Sequence, residues 1–430
     1  ISLGEEGEYR LKLIVSGSKL TTVDYYIKIP ENFTRKYEEM RSSNNTIATI
    51  ANYGLLLFYI IGGIVIGLFL LNRERWLIWK PAVYWGIFIS VVMFFSGLNF
   101  FSLEWLGYDT AISSQNFVIQ RILFSVINLV VLTCLLTLSF LAAEGLSRKA
   151  FPHHVQFWKL WTDNNPSSYE VVGRTVGGYL MIGADLVFVV LFYSITSNYF
   201  GWWTPSGPLF EPDIIATPFP WLSAVGMSLN AGFWEECLFR AVPLAGAAII
   251  GQRYGNKKLW IAGAMILQAL IFAGAHANYP SYPAYSRLLE LIIPSIFWGF
   301  VYLRFGLLPV IISHFGYDVV WFAMPLFVSS SSDVLFDKIM VIILLLVPVW
   351  IILRSYFKTR KFHNLNDEAY NKSFIPPDLV ERDEIVDDSK DLTIYKKYRI
   401  LIVVLSVFGL AGIFMIPPKD YSNLKLTIDR

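Results

Sequence analysis

The 430-residue chain is 55% hydrophobic and only 16% charged, with a mean hydropathy of +0.50. Average soluble domains are about 25% charged, so this composition excludes an ordinary soluble enzyme, a disordered chain, a collagen or a coiled coil and leaves a multi-span membrane protein. The near balance of 35 basic against 33 acidic residues gives no case for nucleic-acid binding, and two cysteines in apolar runs, Cys134 and Cys237, support neither a disulfide framework nor a cysteine zinc site.

With Ile1 first and no signal peptide, the chain reads as a piece of a longer one. Residues 1–50 contain two alternating runs, from Tyr9 to Val15 and from Thr22 to Ile29, and are expected to end a β-rich extracytoplasmic segment. A spanning helix needs roughly 20 apolar residues. That ruler marks ten candidates, at 53–72, 81–101, 118–142, 176–198, 219–250, 259–277, 288–304, 306–328, 335–353 and 399–417. The fifth is too long for one simple span, with Gly232 as the expected break. Residues 355–398 are highly charged, carry Pro376-Pro377 and read as a solvated, partly disordered cytoplasmic loop. The alternation of Leu424, Leu426 and Ile428 suggests that 418–430 opens a second β-rich extracytoplasmic segment.

The expected fold is thus an all-α polytopic membrane protein of about ten transmembrane helices with short β-rich ends. Its parts are an N-terminal helical region (51–175), a core (176–328), a further helix (329–354), the charged loop and a last helix. Lys and Arg cluster in alternate loops, after the first, third, fifth and ninth candidates, whereas the loops around 104–116, 198–213 and 329–333 have none. Basic loops stay cytoplasmic, which puts both soluble ends outside. Arg287 alone falls on the wrong side. Trp76, Trp79, Trp105, Trp202 and Trp203 sit at expected membrane interfaces.

Ionisable groups inside spans cost about 2.5–3.5 kcal/mol each even on lenient scales, so they are the informative ones. In Trp234-Glu235-Glu236-Cys237-Leu238-Phe239-Arg240, Glu236 and Arg240 share a helix face and can pair. Glu235 points about 100° away from Glu236, has no partner nearby in sequence, and suits a general base. His276 ends the next segment, and His314 shares a face with Asp318 in the eighth. A carboxylate with two imidazoles can hold a divalent metal such as zinc through Glu235, His276 and His314, or can poise a water without one. Neither a His-Glu-x-x-His helix nor a Gly-x-Ser-x-Gly elbow occurs. Asp185 finds no second membrane aspartate in a partner motif.

Together the motifs Glu235-Glu236-Cys-Leu-Phe-Arg240, Phe272-Ala-Gly-Ala-His276 and His314-Phe-Gly-Tyr-Asp318 resemble the CPBP family of CAAX proteases and bacteriocin-processing enzymes, over about residues 176–328. The resemblance implies a multi-pass cell-membrane endopeptidase, of the metalloprotease or the glutamate type, acting on a membrane-associated protein or peptide. It implies that Glu235 and His276 activate water, that Glu236 and Arg240 hold the site in shape, and that His314 and residue 318 stabilise the oxyanion. Asp318 departs from the Asn of the CAAX-processing branch, and an ionised Asp cannot donate a hydrogen bond. Two rival readings use the same buried cluster: a non-catalytic scaffold or immunity protein working with other membrane subunits, and an ion- or proton-coupled transporter.

Overall fold

A computed structural model describes residues 7–204 and 211–376. The chain opens with an antiparallel hairpin, β1 (Glu8–Ser16) and β2 (Lys19–Lys28), whose register pairs Tyr9 with Ile27 and Leu11 with Tyr25. The β structure ends there. Residues expected to extend it to position 50 instead begin a helix at Glu31, just after Pro30, whose fixed φ suits the entry to a helix. That helix, α1 (Glu31–Arg73), runs on into the first expected span, where Leu55–Ile66 is π-helical.

The long apolar helices follow in order: α2 (Trp79–Asn99), α3 (Ser114–Ala150) and α4 (Tyr169–Phe200). Ser113 and Ser168 cap the last two through hydrogen bonds from Asn116 N and Val171 N. A continuous helical rod over residues 220–254 consists of α5 (Pro220–Glu235), a π-helical turn at Glu236–Ala241 and α6 (Val242–Tyr254). Next come α7 (Lys257–Ala275), α8 (Ser286–Phe305) and α9 (Leu307–Phe322). The last pair, α10 (Leu335–Leu345) and α11 (Val347–Thr359), is bent by 59°. Pro348 explains the bend, since it lacks an N–H and clashes with the carbonyl four residues back.

Among the described residues, six helices are long and apolar enough to cross a membrane, and seven if the bent pair is one span. The protein is an all-α, multi-pass membrane protein with a small two-stranded sheet. The ten expected spans differ from this count at three places. The rod at 220–254 is interrupted by the π turn, α9 has only 16 residues, and 399–417 lies outside the described residues. The expected β-rich segment at 418–430 lies outside them too.

Large apolar side chains on the outer helices face outward, as lipid contact requires: Leu180 is 71% exposed and Phe124 66%. Inside, α9 packs against α4 and α5, α7 against α6 and α8, and α2 against α3 and α5. Gly232 makes the α5–α9 contact possible. A Cβ there would lie 2.6 Å from the backbone nitrogen of Phe315. Contrary to the expectation from sequence, the helix does not break at Gly232; its irregularity falls at the acidic motif four residues later.

The charged stretch after position 355 is ordered further than its composition suggests. The Asn371 amide donates to the carbonyls of Ser147 and Phe151, Gln156 donates to that of Tyr370, and Leu365 N donates to Glu170. Leu365 and Ala369 are buried. Residues 363–376 therefore form a strap across the loop joining α3 to α4. Backbone groups of both segments satisfy each other there instead of facing water.

Candidate active site

The π turn sits where the motif begins. It widens one turn of the rod between α5 and α6, a device found often at functional sites. Glu235 lies just before it, while Glu236 and Arg240 lie within it. Glu235 faces a cavity of about 610 Å³ that His276, His314 and Asp318 also line. Glu236 and Arg240 sit behind this wall with no exposure at all, whereas about a fifth of the Glu235, His276 and Asp318 side chains is exposed.

The four groups expected to carry chemistry converge. His276 Nε2 is 3.5 Å from Glu235 Oε2, His314 Nε2 is 3.9 Å from the same oxygen, and His314 Nε2 is 3.6 Å from Asp318 Oδ2. The Trp298 ring of α8 is tilted against that of His314 at 4.9 Å and lies 6.3 Å from that of Phe272, one helical turn before His276.

Hydrogen bonds fix the tautomers. His276 Nδ1 is 2.7 Å from the carbonyl of Phe272, which can only accept, so this nitrogen carries the proton. In the neutral ring Nε2 is then an acceptor turned toward Glu235. His314 Nδ1 donates to Glu236 Oε1 at 2.8 Å. Glu236 Oε2 faces Arg240 Nε at 3.3 Å, an ion pair without hydrogen-bond alignment. The guanidinium is sandwiched as well, its carbon 4.1 Å from the Phe272 ring centre and 5.2 Å from that of Trp298. A cation in that position is attracted by the ring faces. The expected Glu236–Arg240 pairing is therefore present, with aromatic support that the spacing did not reveal.

Two further residues belong to this assembly. Asp185 on α4 is buried, and its Oδ2 accepts from Trp298 Nε1 and Ser313 Oγ, both at 3.0 Å. It ties α4 to α8 and α9 and fixes the ring between Arg240 and His314. A lone acid inside a span was the signal for it, and its partners are neutral donors rather than a second aspartate. Arg287 on α8 lines the cavity, bound through Nη1 to both oxygens of Glu290 at 2.6 and 2.8 Å. Cys237 is fully buried and Cys134 is exposed on the outer face of α3.

Among the described residues, no group of three or more His, Cys, Asp and Glu side chains is arranged to hold a metal ion. His314 in particular spends Nδ1 on Glu236 and turns Nε2 toward two carboxylates. Glu235 Oε2 makes no hydrogen bond within the protein although it is shielded from the surface.

Residues 217–320 match the family model described as type II CAAX prenyl endopeptidase Rce1-like. That stretch contains Glu235, Glu236, Arg240, His276, His314 and Asp318. No curated protein and no solved structure matches the chain. The match and the three membrane motifs within it make residues 217–320 similar to the CPBP/CAAX membrane proteases and support a membrane protease.

Proposed function

We propose that the protein is an intramembrane endopeptidase that cleaves a peptide bond of a membrane-associated protein or peptide by water attack. The observation that carries this reading is the pair of acceptors, Glu235 Oε2 and His276 Nε2, 3.5 Å apart on the cavity wall. A water between them donates one hydrogen bond to each, which turns its oxygen lone pairs toward the cavity. Glu235 takes a proton as the water oxygen bonds to the scissile carbonyl carbon. The carbonyl oxygen becomes the oxyanion, facing His314 Nε2. With Nδ1–H committed to Glu236, Nε2 donates in the imidazolium form, and Glu235, Glu236 and Asp318 supply the countercharge. When the C–N bond breaks, Glu235 returns its proton to the leaving amine.

Asp318 has an orienting role here. It holds the Nε2 edge of His314 toward the cavity, so it need not donate to the oxyanion. Glu236 and Arg240 fix the other edge of the same ring. The low-polarity walls strengthen these interactions relative to water.

The test uses purified full-length protein in proteoliposomes with fluorogenic lipid-anchored peptides. His276→Gln should fold as wild type and cleave about 10²- to 10⁴-fold more slowly. Equal cleavage by His276→Gln would remove the second acceptor from the mechanism. Chelator treatment of the wild type should leave the rate unchanged, and a metal-dependent rate would contradict the metal-free form of the proposal.

A further inference from the structure

Arg287 is a basic residue on the side where the loops around 104–116, 198–213 and 329–333 carry no Lys or Arg, and it lines the cavity. It sits in the first turn of α8, where the helix dipole disfavours a cation. An ionisable group at such a position in a membrane protein requires a partner or a task. Glu290 is the partner. It is almost fully buried, holds Nη1 with both oxygens and accepts the Tyr193 hydroxyl at 2.5 Å. The Tyr279 ring lies 5.4 Å from the guanidinium carbon. These contacts lock the guanidinium in place without using all its donors. Nε is shielded from the surface and makes no hydrogen bond, and a fifth of the side chain is exposed where it lines the same cavity as Glu235 and His276. Among the described residues lining this cavity, it is the only lysine or arginine.

We infer that Arg287 forms an anion subsite that binds a carboxylate of the substrate and sets which peptide bond lies over Glu235. The inference rests on the peptidase reading for its substrate but on separate residues for its geometry. Glu290 cancels the charge of Arg287, so an empty subsite adds little net field to the cavity. A carboxylate still meets the exposed part of a guanidinium that Glu290 holds in place, and a planar guanidinium suits two carboxylate oxygens. The same cavity has apolar lining from Val189, Val190 and Leu291 and hydrogen-bonding groups from Ser194, Ser197 and Asn198. Either the end of a chain or an acidic side chain supplies such a carboxylate, and the two sources make different substrates.

The experiment uses three lipid-anchored fluorescent peptide libraries of matched sequence in proteoliposomes with the full chain. One ends in a free carboxylate, one in a carboxamide, and one in a carboxamide with a single Asp or Glu near the end. Cleavage by the wild type and retention by the Glu235→Gln variant are both measured. One carboxylate library should be preferred over the uncharged carboxamide library by about ten- to a hundredfold, the scale of a charge-assisted hydrogen bond. R287Q should bring that ratio close to one, and R287K should restore only part of it because ammonium lacks the fork. Equal handling of all three libraries by the wild type overturns the inference, whatever the variants do, and so does a preference that R287Q leaves intact. If nothing is cut but retention still prefers carboxylates through Arg287, the subsite stands and the peptidase reading fails. Cleavage without preference gives the reverse.

Discussion

Arg240 shows how a fully buried charge is held in this protein. Its ion pair with Glu236 is one of three supports, the others being the faces of Phe272 and Trp298. Removing one partner of a buried pair costs roughly 3–5 kcal/mol. Arg240→Ala should therefore lower both the melting temperature in detergent and the folded yield, and wild-type stability would refute the pairing. Asp185→Ala leaves the Trp298 and Ser313 donors buried without an acceptor, at a cost of about 1–3 kcal/mol. The same change should alter tryptophan emission, since the Trp298 indole loses its anchor. Asp318→Asn is a different case. It keeps the shape beside His314 and should lose far less than the 10²–10⁴ expected on removing the base. A loss of that full size in the cleavage assay would give Asp318 a direct role that its orienting position does not explain.

At the scale of elements, the rod at 220–254 and helix α9 define the site. Gly232 lets them touch at Phe315, one turn before Glu235. Gly232→Ala forces a Cβ against backbone that has no flexible end to move. It should cost about 1–3 kcal/mol and separate Glu235 from His314, so activity should fall along with the melting temperature. Unchanged melting would mean that the two helices have slack. The motifs themselves were legible in the sequence because charges in apolar segments are rare and expensive. The π turn was not, since nothing in Glu236–Ala241 marks a change of hydrogen-bond pattern, and Gly232 drew the expected break to itself. The strap at 363–376 was also illegible. Its charged surface residues dominate the composition, while the anchors Leu365, Ala369 and Asn371 are few. Beneath the strap's neighbourhood, burial pushes His154 down to about 3 from an ordinary value near 6.5. The unfolded loop therefore takes up a proton first as pH falls. This contribution to stability is complete above about pH 6.5 and is lost progressively toward pH 3. Thermal unfolding should show a smaller acid destabilisation in His154→Gln than in wild type, and parallel pH profiles would count against it.

For the whole molecule, the class was plain from composition, because no soluble core absorbs so many exposed apolar side chains. The number of crossings was less plain. Broken, short and bent helices do not announce whether each apolar run spans alone. The basic loops cluster at one end of the bundle, where the Lys257 ammonium nears the Ala150 carbonyl and Arg174 donates to that of Phe305. The charge rule predicts that this end is cytoplasmic and that the hairpin at residues 8–28 lies outside. Cysteines placed at Ser18 and at Lys361 should behave oppositely toward a membrane-impermeant thiol reagent applied to intact cells, with position 18 labelled and position 361 protected. The reverse pattern would invert the orientation.

Glu235 carries the central claim, and the most direct test compares membranes from cells expressing wild type and Glu235→Gln at equal folded levels. The change keeps the shape of the side chain and removes the base. New peptide termini in membrane-associated proteins, quantified by mass spectrometry, should be present with wild type and absent or reduced at least a hundredfold with Glu235→Gln. An identical set of termini at equal abundance in both samples would contradict peptide hydrolysis by this site.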